Sequence, residues 1–305
     1  MRKTCLETVR ELALKDERIV FLGSDLGVGT MDELRREAPD RVLREGICEQ
    51  NVVGMAAGLA LEGRIVYVNT IASFLTRRAF EQATLDLCLH RARVRLIGNG
   101  GGLVYAPLGP THLAFEDLSI FRALPNMTIL APADAEEMRA IIPQTVDIPG
   151  PVYIRLGKGY DPIVTTGGPE CVIGKGRPMR RGSDLLMLTT GVTVGPCLDA
   201  ADLLAGQGIE ASVLHLPTVK PLDRDMILDL AASVRAVLSV EENTIIGGLG
   251  SAAAEILMEA GFSGLKFKRL GLPDVFPDQY GSQAGLMRRF GLDPESIAAA
   301  AEGLL

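Results

Sequence analysis

Glu49 and His112 are the residues whose types and surroundings could do chemistry in this chain. In the stretch "REGICEQNVVGMAAGLALEG", residues 44–63, Glu49 stands at the head of a predicted helix that is otherwise small and apolar. An acid in the first turn of a helix is an ordinary dipole partner, and taken alone Glu49 reads as that. His112 lies in "GGGLVYAPLGPTHLAFED", a loop rich in glycine and proline. Long loops inside compact domains tend to be functional, so His112 either contacts a substrate or supports the loop. The chain has three histidines in all. His90 closes a predicted helix and reads as solvated, and His215 sits in a predicted strand and reads as packed and hydrogen-bonded. No Ser-His-Asp or Cys-His order has a supporting context, so covalent hydrolysis is not suggested. No HxxxH pair or carboxylate cluster proposes a metal site. "GLGSAAAEI", from residue 248, lacks both GxGxxG and the Walker pattern and reads as a tight strand-to-helix turn. "NGGGLVY" gives backbone freedom without a phosphate signature.

The elements that must position these residues follow from short apolar runs. "RIVFLGSD" (18–25), "RIVYVNT" (64–70), "RVRLIGN" (93–99), "MTILAP" (127–132) and "PVYIRLG" (151–157) read as buried parallel strands. Helical patterns fall near 3–15, 49–62, 73–89, 116–123 and 134–145, with Asp134 and Glu137 at capping-box spacing. Residues 158–183 are rich in Gly, Pro and charge, after which a second strand-helix alternation begins. The expected fold is therefore α/β, with two doubly wound domains: 1–160, a linker and lead-in strand over 161–183, and 184–305. The 305 residues suit such a pair, and 47% hydrophobic content supplies the cores. A net charge of −7 argues against non-specific nucleic-acid binding. The five cysteines form no CxxC pair and read as reduced thiols of a cytoplasmic protein. No apolar run approaches the roughly 20 residues needed to span a membrane.

Taken in order, "REGICEQNVVGMAAGLALEG", "NTIASFLTRRAFEQATLD", "GPTHLAFEDLSIFRALPNMTILAPADAEEM" and "PVYIRLGKG" resemble the pyrimidine-binding domain of transketolases and 1-deoxyxylulose-5-phosphate synthases. "KPLD", "VEENTIIGGLGS" and "DQYGSQAGLMRRFGLD" are similar to the C-terminal domain of the same enzymes, so the resemblance covers essentially the whole chain. It implies thiamine diphosphate as cofactor and Glu49 as the carboxyl that hydrogen-bonds its aminopyrimidine. A carboxyl held in a partly desolvated site can share a proton with a ring nitrogen and so promote loss of the thiazolium C2 proton. The resemblance further places Phe74 against the pyrimidine by stacking, with Arg77, Phe80 and Asp25 near the cofactor. It places His112 at the substrate and makes Arg155 the anchor of a substrate phosphate.

Two departures stand out. The motif that holds Mg²⁺ and the diphosphate in this family is absent, and there is no room for a further domain upstream. The resemblance therefore implies the C-terminal subunit of a split transketolase. It would self-associate to a dimer and pair with a separate N-terminal subunit, which supplies the Mg²⁺ ligands, in a heterotetramer. The loop also departs: Leu108 stands where transketolases carry an acid before GPTH, and "GNGGG" replaces a region that usually holds another histidine. An acceptor other than ribose 5-phosphate is the expectation. Two other readings accompany this one, an acyloin-forming synthase that decarboxylates pyruvate and a non-catalytic assembly or regulatory subunit. Glu49, Phe74, His112 and Arg155 together argue against the second.

Overall fold

The computed structural model describes residues 1–23, 29–44, 46–157, 160–166 and 170–305. The first sheet takes β1 (Ile19–Gly23), β2 (Val42–Arg44), β3 (Ile65–Ile71), β4 (Val94–Asn99), β5 (Thr128–Leu130) and β6 (Val152–Leu156). The second takes β7 (Arg177–Arg180), β8 (Leu185–Thr189), β9 (Ala211–His215), β11 (Ala236–Thr244) and β12 (Lys266–Leu272), while β10 (Thr218–Lys220) returns to the first. The strand orders are β10-β5-β6-β4-β3-β1-β2 and β12-β11-β8-β9-β7. Every pairing is parallel except β10 with β5 and β7 with β9 at the sheet edges.

Helices cover both faces of each sheet, as parallel strands buried on both sides require. On the first sheet, α1 (Arg2–Lys15), α2 (Asp32–Glu37) and α6 (Ala135–Thr145) bury Leu6, Val9, Leu34, Met138 and Ile141 on one face. On the other, α3 (Glu49–Leu61), α5 (Asp117–Arg122) and residues 74–89 bury Val53, Ala56, Leu75, Leu87 and Phe121. The sequence predicts one helix over 73–89. The structure instead has α4 (Phe80–Gln82) between two wide π-helical segments, Phe74–Arg78 and Ala83–Leu89. The second sheet is covered by α7 (Val194–Ala205) and α11 (Pro294–Glu302) on one side, with α10 (Gln283–Arg289) beside them. On its other side lie α8 (Arg224–Ala231) and α9 (Leu249–Glu259). Both units are doubly wound α/β. No helix among the described residues is long and apolar enough to cross a membrane.

The units are stitched by buried charge. Asp134 caps α6 by accepting from the Glu137 amide at 3.0 Å. The Glu137 side chain accepts from the Ala133 amide (2.7 Å), from Arg177 of β7 (2.6 Å) and meets His215 of β9 (2.7 Å). Burial pushes Glu137 up, but His215, the Ala133 amide and Arg177 outweigh it and hold the carboxyl at about 2. His215 is thus packed and bonded, as its strand position predicts, while His90 is exposed.

Two neighbouring acids on β11 behave in the opposite way. Successive strand side chains point to opposite faces. Glu241 accepts from the Leu249 and Gly250 amides at the start of α9 (2.8 and 2.9 Å), and Glu242 turns toward the first unit. Burial pushes each up to about 7 from the ordinary 4.5, against those amides for Glu241 and against Arg155 for Glu242. The folded chain therefore holds more protons than the unfolded one between those values. The stability these acids contribute is complete below the unfolded value and is lost as pH rises through about 7, on the order of 3 kcal/mol each. Denaturant titrations at about pH 6 and about pH 8.5 should show the midpoint falling at the higher pH. A midpoint that rises would mean these carboxyls are not carried in this state.

Candidate active site

The site forms where ligands collect in open parallel sheets, beyond the C-terminal ends of the strands. β2 leads through Gly46 to Glu49, the first residue of α3, β3 leads to Phe74, and β4 leads through three glycines into the loop that carries His112. Glu49 is only 6% exposed. Its Oε2 accepts from Nη1 of Arg78 at 3.2 Å, and the same guanidinium lies 3.8 Å above the centroid of the Phe74 ring. Phe74 in turn meets the His112 ring at 5.2 Å, tilted by 57°. His112 Nδ1 is 2.9 Å from the Thr111 hydroxyl, and its carbonyl accepts from Ser73 Oγ at 3.1 Å. Tyr105 stands edge-on to His112 at 6.4 Å, and its hydroxyl accepts from Arg2 at 3.3 Å. Glu49, Arg78, Phe74, His112, Tyr105 and Arg2 thus form one continuous line of contacts.

Beyond His112 opens a cavity of about 280 Å³ lined by Arg2, Val104, Tyr105, Pro107, Leu108 and Tyr160. Its walls are apolar and aromatic, with one cation. The Nε of Arg2 is buried without a hydrogen-bond partner among the described residues.

The structure brings Glu49, Phe74 and His112 together and gives other expected site residues different tasks. Arg77 turns away from Glu49. Its guanidinium pairs with Glu116 and donates to the carbonyls of Pro110 (3.1 Å) and Leu113 (2.8 Å), so it holds the His112 loop rather than a ring. Phe80 is half-buried and packs on the core under α3. Arg155, expected as a phosphate anchor, is 6% exposed and already engaged. Its Nη2 reaches Asp117 at 3.0 Å and donates to the carbonyls of Ala114 (3.2 Å) and Glu242 (2.8 Å), while its Nε has no hydrogen-bond partner among the described residues. Asp25 lies outside the described residues. Sequence reasoning misses Arg78 and Arg2. The signal for Arg78 is its pairing with Arg77 in a helical stretch facing Glu49, and for Arg2 a cation opening the first helix.

A family model described as transketolase, pyrimidine binding domain, matches residues 1–160, and one described as transketolase, C-terminal domain, matches residues 174–297. The chain belongs to the transketolase family. Its relatives include the 6-deoxy-6-sulfo-D-fructose transketolase subunit SqwH of Clostridium sp. (strain MSTE9), 38% identical over 99% of this chain and 93% of that one. One of the subunits of the apulose-4-phosphate transketolase of Phocaeicola vulgatus is 34% identical over 98% of this chain and 96% of its own length. The 1-deoxy-D-xylulose-5-phosphate synthase 1 of Geobacter sulfurreducens is 39% identical, and this chain spans 47% of its length. Among solved structures, a split gene transketolase described as an inactive beta4 tetramer superposes with a TM-score of 0.90 at 34% identity, over 100% of this chain and 97% of that one. Relatives of this transketolase-family chain are thus subunits of split transketolases, which supports a partner subunit here.

The family implies thiamine diphosphate, and one observation tests the fit. Arg78 is a planar cation stacked on Phe74 and hydrogen-bonded to Glu49. An aminopyrimidine needs the same two contacts, a flat apolar face and a carboxyl at its edge, so these residues fit the pyrimidine half of the cofactor. Among the described residues no group of His, Cys, Asp and Glu could hold a metal ion.

Proposed function

We propose that this chain is the C-terminal subunit of a split, thiamine-diphosphate-dependent transketolase that moves a two-carbon ketol unit from a ketose to an aldehyde. The observation that carries the reading is the Glu49–Arg78–Phe74 arrangement beside His112. Thiamine diphosphate supplies, when bound, the carbanion chemistry that amino-acid side chains cannot. Glu49 would hold a proton at the ring edge, and Phe74 would orient the ring by its face. Arg78 must swing off Phe74 to admit it. His112 stands between that ring position and the substrate cavity, placed to donate to a substrate oxygen. The diphosphate and Mg²⁺ would be held by the N-terminal subunit. A second reading, a synthase that decarboxylates pyruvate, draws on the similarity to 1-deoxy-D-xylulose-5-phosphate synthases. Release of CO₂ from pyruvate separates the two.

The cavity supports a substrate class. Leu108, 48% exposed, offers no hydrogen bond where an acid would read an acceptor hydroxyl. Arg2 retains a cation at the far wall. The acceptor is therefore an aldehyde with an anionic far end and little demand for a hydroxyl next to the carbonyl. With a fixed ketose-phosphate donor and the reconstituted enzyme, ribose 5-phosphate should not lead a panel of aldehydes. Leu108→Asp should move the ranking toward ordinary aldose phosphates. Arg2→Ala should lower kcat/KM for anionic acceptors by roughly 10- to 100-fold, the value of a lost charge-assisted hydrogen bond. A panel led by ribose 5-phosphate, or indifferent to Arg2, would overturn this assignment.

A further inference from the structure

The loop that carries His112 belongs to the first unit by sequence and to the second by packing. Its apolar residues Leu103, Ala106, Leu113 and Phe115 sit in the same buried cluster as Leu185, Met187 and Leu238 of the second sheet. Phe115 meets Phe276 edge-on at 5.9 Å, and its carbonyl accepts from the Thr244 amide at 2.6 Å. The loop closes at a neck, where the Gly102 amide donates to the Ala114 carbonyl at 2.9 Å and the Ala114 amide to the Gly102 carbonyl at 3.1 Å. Glu242 fits against this neck. Its Oε1 accepts from the Leu103 amide at 3.0 Å and from Gln283 Nε2 at 2.7 Å. Gly102 has φ +64, and a Cβ there would lie 2.3 Å from Glu242 Oε2, so the contact demands glycine on the loop side. Arg155 ties the other strand of the neck, reaching the Ala114 carbonyl and the Glu242 carbonyl together. Nothing in cofactor binding or proton transfer uses Glu242, yet it is a buried carboxyl with two donors aimed at one oxygen. A buried polar group is tolerated only where it is hydrogen-bonded, and the groups Glu242 engages are those that fix the loop.

We propose that Glu242, supported by Gln283, is a positioning residue of the C-terminal unit that sets the reach of His112 into the substrate cavity by clamping the Gly102–Leu103 neck of its loop. The assignment rests on His112 facing the substrate as read above, and it makes the C-terminal unit part of the active-site machinery. Glu49 and Phe74 lie outside the clamp, so the step that activates the cofactor is independent of it.

The three histidines supply the test. With ¹⁵N-labelled histidine the free chain shows three imidazoles, of which exposed His90 and buried His215 serve as controls. In Glu242→Ala only the His112 signals should move or broaden. In the enzyme reconstituted with its N-terminal subunit, hydrogen–deuterium exchange at the cofactor C2 should stay within about twofold of wild type. Turnover of the donor ketose should fall by roughly 10- to 100-fold, the size expected for a misplaced contact group. Glu242→Gln, which keeps the Oε1 acceptor, should recover most of it. An unmoved His112, or exchange and turnover falling together with His215 unmoved, would overturn the clamp. If Glu242→Ala also moves His215, Gln283→Met is read by the same criteria. A wild-type enzyme that shows no C2 exchange would fail the functional reading instead, and the imidazole signals of the free chain still decide the clamp.

Discussion

Glu49→Gln in the reconstituted enzyme is expected to slow hydrogen–deuterium exchange at the thiamine C2 by about 10²- to 10⁴-fold, the range of a lost acid–base group. The fold should survive. As a first-turn acid of α3, Glu49 contributes about 0.3–1 kcal/mol through the helix dipole, and glutamine preserves its shape. Its carboxylate contact among the described residues is Arg78, half-exposed and able to turn to water once released. Glutamine presents an amide where a shared proton is required, so the ring could still stack on Phe74 while its activation fails. Cofactor affinity should therefore change much less than exchange. An exchange rate unchanged in the variant would remove Glu49 from the chemistry.

The second expectation is all-or-none. The chain by itself should transfer no ketol unit, and activity should rise to saturation as the N-terminal subunit is added. The physical reason is the open side of the site. Ile47, two residues from Glu49, is 86% exposed. An apolar side chain left in water beside a buried carboxylate leaves that site wet. Exclusion of water is what gives a carboxyl–ring contact its strength. A covering subunit would supply both the exclusion and the diphosphate grip. The solved relative described as an inactive beta4 tetramer fits this pattern for its own chain. Titrating the partner at fixed chain concentration, with ketose turnover as readout, is the measurement. Robust turnover by the isolated chain at low protein concentration would end the idea.

Much of the scaffold was legible because it is written in short apolar runs. β1, β4, β5 and β6 fall inside their expected stretches and β3 runs one residue past its own, and the alternation with helices fixes the class. What escaped detection is what depends on distant partners. β10 has three residues and exists only because it finds the edge of β5 across the unit boundary. The π-helical turns at 74–89 add a residue to the turn, and helical periodicity in the sequence does not reveal that. Both adjacent arginines lie in the first of these segments, Arg78 meeting Glu49 and Arg77 the His112 loop. Only the resemblance points to Glu49, Phe74 and His112 as a group, which the structure brings together. The contacts of Arg155 with Asp117 and Glu242 are not legible, because these partners lie 38 and 87 residues away and a strand arginine carries no local mark of reaching them. Glu242 had a signal: an acid inside a run that otherwise reads as a buried strand must have found donors.

The clamp also bears on how such chains could be recombined. The segment between the units is the natural place to join halves of two related proteins. A junction there would take Gly102, Leu103 and Ala114 from one parent and Glu242 and Gln283 from the other. Loop and clamp are inherited together only when the join is made elsewhere. Chimeras cut at that segment would mismatch at the neck as well as at the Glu137–His215 contact and the β5–β10 edge. For swapping acceptor preference between relatives, the useful cassette is therefore discontinuous: the loop together with its distant glutamate and glutamine.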